Sequence, residues 1–427
     1  MNHSNRVFIT GLSAVTAAGN TLSETWDAIV SGHSAIDEIK DHDLSNWPNR
    51  LGGELKDFKA AKMLPDKKLI KVISRQDAIG INAAVQAIEH SGVIEWRNTE
   101  CKDLSSFNER MGVYVGSPGN KYFQQYDFLP LIAKTDGNLQ AFADHLFEEV
   151  HPMWLLRILP NNVLAYVGIT YGFKGANHNV TNHAVGGMQA LIEAAHAIKS
   201  GQIERAVVTA YDMGTEPQAL FYYDKMGLIS PTGLRPFAHD HDGTVLAEGG
   251  AAIVLENEES VMQRNAQCYG EIIAMGTHSE ANGLFSIEED GQHLAGLLNK
   301  CLSENALSMH DIHAVVAHGN GNPRSDCSEA HALAQVFSTG EQPQLTAFKW
   351  AMGHTLTASG LLDTVLTCQA LKERQLPGLP GFSRRAASCE HLQISNQMKP
   401  VARNSNTLII NRGFASMNSC VVVRGCE

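Results

Sequence analysis

The sequence predicts an α/β protein made of two similar halves, and three observations predict it. Strand-like and helix-like runs alternate along most of the chain. The grammar of residues 1–260 recurs, more weakly, in residues 261–427. With 427 residues, the chain is also too long for one simple core.

The elements follow in order. "RVFITGLSAV" reads as a strand ending in Gly, and "SETWDAIVSG" as a short helix with a Gly stop. "SRQDAIGINAAVQAIEHSG" is a longer helix with apolar positions at Ile79, Ile81, Ala84, Val85 and Ile88. "RMGVYVGSP" is a strand and turn. Residues 120–165, aromatic-rich and irregular, read as an insertion. "NVTNHAVGGMQALIEAAHAIKSG", residues 179–201, is a tight turn feeding a helix that is apolar nearly all round and therefore buried. Such a turn presents one side chain, and the backbone N–H groups of a helix start, to an internal pocket. "RAVVTAYD" and "GGAAIVLEN" are buried strands. In the second half, "YGEIIAMGTHSE" matches the opening strand and "IHAVVAHGNGNP" is a strand entering a Gly/Asn loop. "TLTASGLLDTVLTCQALKE" echoes the turn and helix at 179–201, and "NTLIINRGF" and "NSCVVVRG" close the sheet.

Composition narrows the function classes. A net charge of -12 gives no general attraction for nucleic acid or an anionic membrane surface. No apolar run is long enough to span a bilayer, and the first residues lack a signal-peptide pattern, so a cytoplasmic protein is expected. The eight cysteines form no C-x-x-C pair, which predicts reduced thiols without a disulfide framework or zinc. "HDHD" at 239–242 reads as a structural loop, with no metal, and "GVYVGSPG" lacks the Lys of a phosphate loop.

Four segments, in order, carry a family resemblance: "VFITGLSAVTAAGN", "RPFAHDHDGTVLAEGGAAIVLE", "VVAHGNGNPRSDCSEA" and "FKWAMGHTLTASG". Together they resemble the β-ketoacyl-acyl carrier protein synthases of the elongating type II kind, in the thiolase superfamily. The resemblance implies a thiolase-like fold, two α/β halves in a layered αβαβα sandwich. It also implies an active site of a Cys nucleophile, two His and a supporting Lys. The two His fall on His318 and His354, and the Lys on Lys349. Asp363 stands where the family has a Glu that pairs with the Lys, which predicts a shorter ion pair or a purely structural one.

The Cys is missing. Counting without a gap from either side places Ala184 at its position, while aligning Thr181 with the family's Thr places His183 there at the cost of an inserted residue. Ala184 is the preferred register, with His183 an ordinary turn residue. Asn320 and Asn322 replace two Thr that contact the carrier's phosphopantetheine arm. In the closing loop "INRGFASMN", Arg412 takes the place of the gating Phe, Ala415–Ser416 replace Gly-Gly, and Phe414 completes the substrate-binding set. Arg412 is expected to enter a pocket, its own or a partner's, or to reach a surface.

A methyl group cannot hold an acyl chain, so condensation at this site is excluded. Malonyl decarboxylation needs only donors to an enolate oxygen, which His318 and His354 supply. The retained histidines serve that chemistry or simply satisfy backbone groups. The expected role is therefore a chain length factor, a non-condensing subunit paired with a Cys-bearing ketosynthase and served by an acyl carrier protein. The retained His–Lys–His set points to an aryl polyene type of system. The chain needs no cofactor of its own, its substrate being carried on phosphopantetheine. The alternatives are a malonyl-carrier decarboxylase that supplies an acetyl starter, and a standalone acyl-binding homodimer.

Overall fold

Strand β1 (Val7–Thr16) is buried at every position, and this apolar run organises the first half. The computed structural model describes residues 6–119, 123–339, 342–380 and 384–426. Within them β1 does not end at its glycine. It runs through Gly11 by a bulge, where a Cβ would lie 2.4 Å from the Ala87 carbonyl oxygen. The glycine lets a helix approach the strand closely; it is not a stop.

In the eleven-stranded sheet, the other strands from the first half are β2 (Met111–Gly116), β3 (Asn177–Val180), β4 (Arg205–Met213) and β5 (Glu248–Asn257). Those of the second are β6 (Gly270–Ser279), β7 (Ala314–Val316), β8 (Gln344–Thr346), β9 (Gln393–Ile394), β10 (Asn406–Gly413) and β11 (Met417–Arg424). They hydrogen-bond in the order β9-β8-β7-β10-β11-β6-β1-β5-β4-β2-β3. β1, β5 and β4 pair antiparallel in turn, and β4, β2 and β3 parallel. β6, β11 and β10 likewise pair antiparallel, and β10, β7 and β8 parallel. The same five-strand pattern thus occurs twice. The two runs meet only where Phe8 and Ile9 of β1 face Glu271 and Gly270 of β6.

Helices complete the layers. α1 (Arg75–Ser91) covers β1, β5 and β4 from outside, with a Ser74–Asp77 capping box at its start and Gly92, φ 65°, at its end. α2 (Gly186–Lys199) and α6 (Ser359–Glu373) lie between the two strand runs; α2 touches β2, β4, β6 and β11, and α6 touches β5 and β10. α4 (Gln292–Ser303) packs outside β6 and β11, beside α5 (Pro323–Val336). A short helix, α3 (Pro217–Lys225), lies between β4 and β5 in the chain. The result is the thiolase-like αβαβα layering. α6 is buried from Ser359 to Leu371, as a helix apolar on all sides must be.

Two expectations are corrected. The insertion is helical, not irregular: helices span Phe123–Lys134, Leu139–Glu149, Trp154–Ile158 and Asn162–Tyr171, while residues 120–122 lie outside the described residues. Its apolar side chains mark no single buried stripe, since Leu139, Phe147 and Ile169 are 80%, 88% and 74% exposed, and that hides the helical period. Nor are all the thiols free. Cys268 and Cys426, 158 positions apart, form a disulfide, because the ends of neighbouring strands bring together residues that sequence spacing keeps apart. Among the described residues no helix is long and apolar enough to cross a membrane.

Candidate active site

Both central helices start from the same kind of turn. β3 leads into a 3-10 turn at His183–Val185 and then α2; a second 3-10 turn at Leu356–Ala358 leads into α6. Each begins on a non-glycine residue in the left-handed region, His183 at φ 46° and Leu356 at φ 44°. The turns touch. A Cβ on Gly187 would lie 2.5 Å from the Thr357 carbonyl oxygen, so only glycine permits this approach.

The two registers left open by the sequence separate at the first turn. Ala184 is buried, with 1% exposure. The left-handed residue at the tip is His183, whose ring stacks on Phe414 with centroids 4.2 Å apart. Its Nδ1 accepts a hydrogen bond from the Phe414 backbone N–H at 3.3 Å, which leaves the proton of a neutral ring on Nε2, 2.8 Å from the Tyr223 hydroxyl on α3. Burial pulls the imidazole down to about 4, so the ring is neutral at pH 7. His183 is thus no ordinary turn residue. In either register the elbow carries no thiol.

His318, His354, Lys349 and Asp363 come together below it. The rings of His318 and His354 meet edge to face, with centroids 5.2 Å apart. His318 follows β7, and its backbone N–H and that of Gly319 donate to the two carboxylate oxygens of Glu329 on α5, at 2.7 and 3.1 Å. The His318 Nδ1 accepts from the Arg412 N–H at 3.3 Å, so Nε2 carries the proton of the neutral ring. The backbone of His354 is clamped by Val245 and Ala247, and its buried Nδ1 has no hydrogen-bond partner among the described residues. Burial, then the Lys349 charge, hold both imidazoles well below their ordinary range. The Lys349 Nζ sits 2.6 Å from the Asp363 carboxylate, both buried, and burial raises the Asp363 carboxyl against the pull of Lys349. Burial also pushes Glu329 up to about 7, opposed by Arg412 and the two backbone donors.

Of these, His318 and His354 line a cavity of about 250 Å³ together with Asn320, Asn322, Phe414 and Ala184, while Lys349 and Asp363 stand outside its wall. Asn322 caps α5, its side-chain oxygen accepting from the N–H groups of Arg324 and Ser325, while the Asn320 side chain accepts from the Asn322 N–H. The asparagine substitutions thereby serve the turn itself.

Arg412 does not gate. Its guanidinium is buried and tied to Glu280 at 2.9 Å, Asn418 at 2.9 Å, the Ser325 carbonyl and the Ser328 hydroxyl. A buried cation demands such partners and cannot swing. The aromatic side chains of the cavity wall include Phe414, Phe285 and Tyr223. Ala415 and Ser416, where the family has Gly-Gly, hold the left-handed conformation at φ 59° and 58°. Sequence reasoning missed Tyr223 and Glu280. Tyr223 had no signal, whereas Arg412 within an apolar strand already called for a buried acid. The 239–242 segment is pinned by His241 Nδ1, 2.9 Å from Asp326, which also accepts from the Phe237 N–H. Among the described residues no cluster of three or more His, Cys, Asp or Glu is arranged to hold a metal ion.

A second cavity, about 440 Å³, lies on the far side of the His183–Phe414 stack, with Arg75, Asp212 and Thr357 in its wall. Asp212 is bound by the N–H and hydroxyl of Thr357, and burial raises its carboxyl to about 6.

Comparison with known proteins agrees with this geometry. The profile of the "Beta-ketoacyl synthase, N-terminal domain" matches residues 4–260, and that of the "Beta-ketoacyl synthase, C-terminal domain" matches residues 269–383. The chain is 26% identical, over 98% of its length and 98% of the relative's, to 3-oxoacyl-[acyl-carrier-protein] synthase 2 of Coxiella burnetii. It superposes on the ishigamide ketosynthase/chain length factor with a TM-score of 0.87 at 19% identity, covering 99% of this chain and 100% of that one. A structure of a type II polyketide synthase acyl-carrier protein in complex with its ketosynthase gives a TM-score of 0.86, at 19% identity and with 99% and 100% coverage.

Proposed function

The chain belongs to the β-ketoacyl synthase family, and from that premise we propose that it is a non-condensing, chain length factor-like subunit. It would pair with a Cys-bearing ketosynthase and work on acyl groups held by a carrier protein's phosphopantetheine. The observation that carries this reading is the elbow, which offers condensation no thiolate in either register: Ala184 is a buried methyl and His183 an imidazole with both nitrogens engaged. The likeness to a solved ketosynthase/chain length factor supports it. So does a sheet edge, β3, whose residues are exposed or half-buried beside exposed apolar residues of the insertion helices, a surface suited to a partner. The aryl polyene assignment belongs to this reading and rests on the retained His318–Lys349–His354 set.

The test is co-expression with candidate ketosynthases, followed by sizing and intact-mass analysis. A 1:1 complex in which acyl adducts appear only on the partner is expected. An acyl adduct on this chain overturns the proposal, and a stable homodimer that ignores every ketosynthase points to the standalone acyl-binding alternative.

One observation favours a second reading, a malonyl-carrier decarboxylase. The His318 tautomer leaves an Nε2–H to donate in the cavity. As the bond between the malonyl α-carbon and its carboxylate breaks, CO₂ departs and the electron pair becomes an enolate. That donor stabilises the enolate until a proton gives the acetyl thioester. Conversion of malonyl-carrier to acetyl-carrier by the pure chain, lost in His318→Ala, would establish it.

A further inference from the structure

The two cavities share five wall residues: His183, Tyr223, Met226, Phe285 and Phe414. Three of them form a continuous stack, with His183 on Phe414 at 4.2 Å and Phe414 on Tyr223 at 5.3 Å, while Phe285 meets Phe414 edge to face at 5.3 Å. The stack is the partition between the chambers. Its histidine is tied at both ends, Nδ1 to the Phe414 N–H and Nε2 to the Tyr223 hydroxyl. The backbone under it is held left-handed. A side chain fixed by two hydrogen bonds, stacking and its own backbone has no second position at low cost.

The geometry points to His183 as an internal plug. It bars an acyl chain that enters the 250 Å³ chamber from reaching the 440 Å³ chamber, so that this subunit gains nothing from a longer acyl chain. The plug also uses the Phe414 N–H, which would otherwise face the cavity as a donor to an acyl carbonyl. The inference deepens the reading of this site as an acyl-thioester site, but it does not depend on the chain having a ketosynthase partner.

The test uses the purified full-length chain and two probes, acetyl-pantetheine and dodecanoyl-pantetheine, with binding measured by calorimetry. His183→Gly is the variant of choice because glycine accepts φ 46° without strain, so the turn is kept while the ring is removed. The unaltered chain should bind the two thioesters within about threefold of each other. The variant should prefer the long one by on the order of tenfold or more, as added methylenes find an apolar wall. Tyr223→Phe keeps the stack but cuts one tether, and should give an intermediate preference. A strong long-chain preference in the unaltered chain, or equal binding of both probes by a folded His183→Gly, overturns the plug. Neither outcome bears on whether a ketosynthase partner exists, which co-expression decides separately.

Discussion

At the scale of single residues, the site divides by how each side chain is specified. His318, His354, Lys349 and Asp363 were legible because rigid loops and one helix fix their spacing, and the structure brings all four together. His183 was not legible. A turn followed by Gly-Gly can be counted in two registers, and only the backbone angle tells which residue is at the tip. Where the Arg412 side chain points stayed open for a related reason: its position in the loop was clear, but its partner Glu280 is 132 residues away. The burial of His183 gives a pH signature. Its folded-state value, about 4, lies below that of an unfolded imidazole, so below about pH 6.5 the unfolded chain takes up a proton that the folded ring refuses. The stability it contributes is complete above that range and is lost as pH falls toward 4. His183→Asn, which tolerates the left-handed backbone, should therefore lose less stability than the unaltered protein between pH 7 and pH 5. The difference should approach about 2 kcal/mol, read by denaturant titration at the two values. An equal loss in both would show that the ring is not shielded.

At the scale of elements, alternating strands and helices were readable wherever a strand is buried on both faces or a helix is capped. β1 and α1 show both, the first buried throughout and the second with Ser74, Asp77 and Gly92 at its ends. Reading failed where an element serves something other than the core. The insertion helices expose apolar side chains and so lack a readable stripe. β8 and β9, three and two residues long, are too short to show a period. The β10–β11 connection makes a separate point. Two consecutive non-glycine residues, Ala415 and Ser416, sit left-handed there, and Ser416 is further held by its hydroxyl to Gly283 and Ser286. Ala415 has no such side-chain tie. Ala415→Gly should therefore relieve strain and raise stability by about 1 kcal/mol, measured by chemical denaturation. A loss of stability would mean that the methyl group's packing outweighs the strain.

At the scale of the whole molecule, the repeat and the layering follow from composition and order, because buried helices such as α2 and α6 must be covered on all sides, here by the two strand runs. What sequence alone did not show was the surface that a second chain would cover, since exposed apolar residues look like core until the fold turns them outward. Ile169, 74% exposed on the helix whose chain leads into β3, is the test position. Ile169→Glu should weaken association with a ketosynthase by about tenfold or more in analytical ultracentrifugation, while leaving the melting temperature of the isolated chain within about 2 °C. An unchanged complex would place the contact elsewhere.

The order of the strands also limits how far such an assembly can grow. At one end the outermost strand is β9, only two residues long and a poor template for another chain; at the other is the four-residue β3, half open to solvent. With a single usable margin, a molecule that joins a neighbour edge to edge spends its whole capacity on that one union. The product is a closed pair whose remaining edges, the two-residue β9 strands, are too short to seed a fibre.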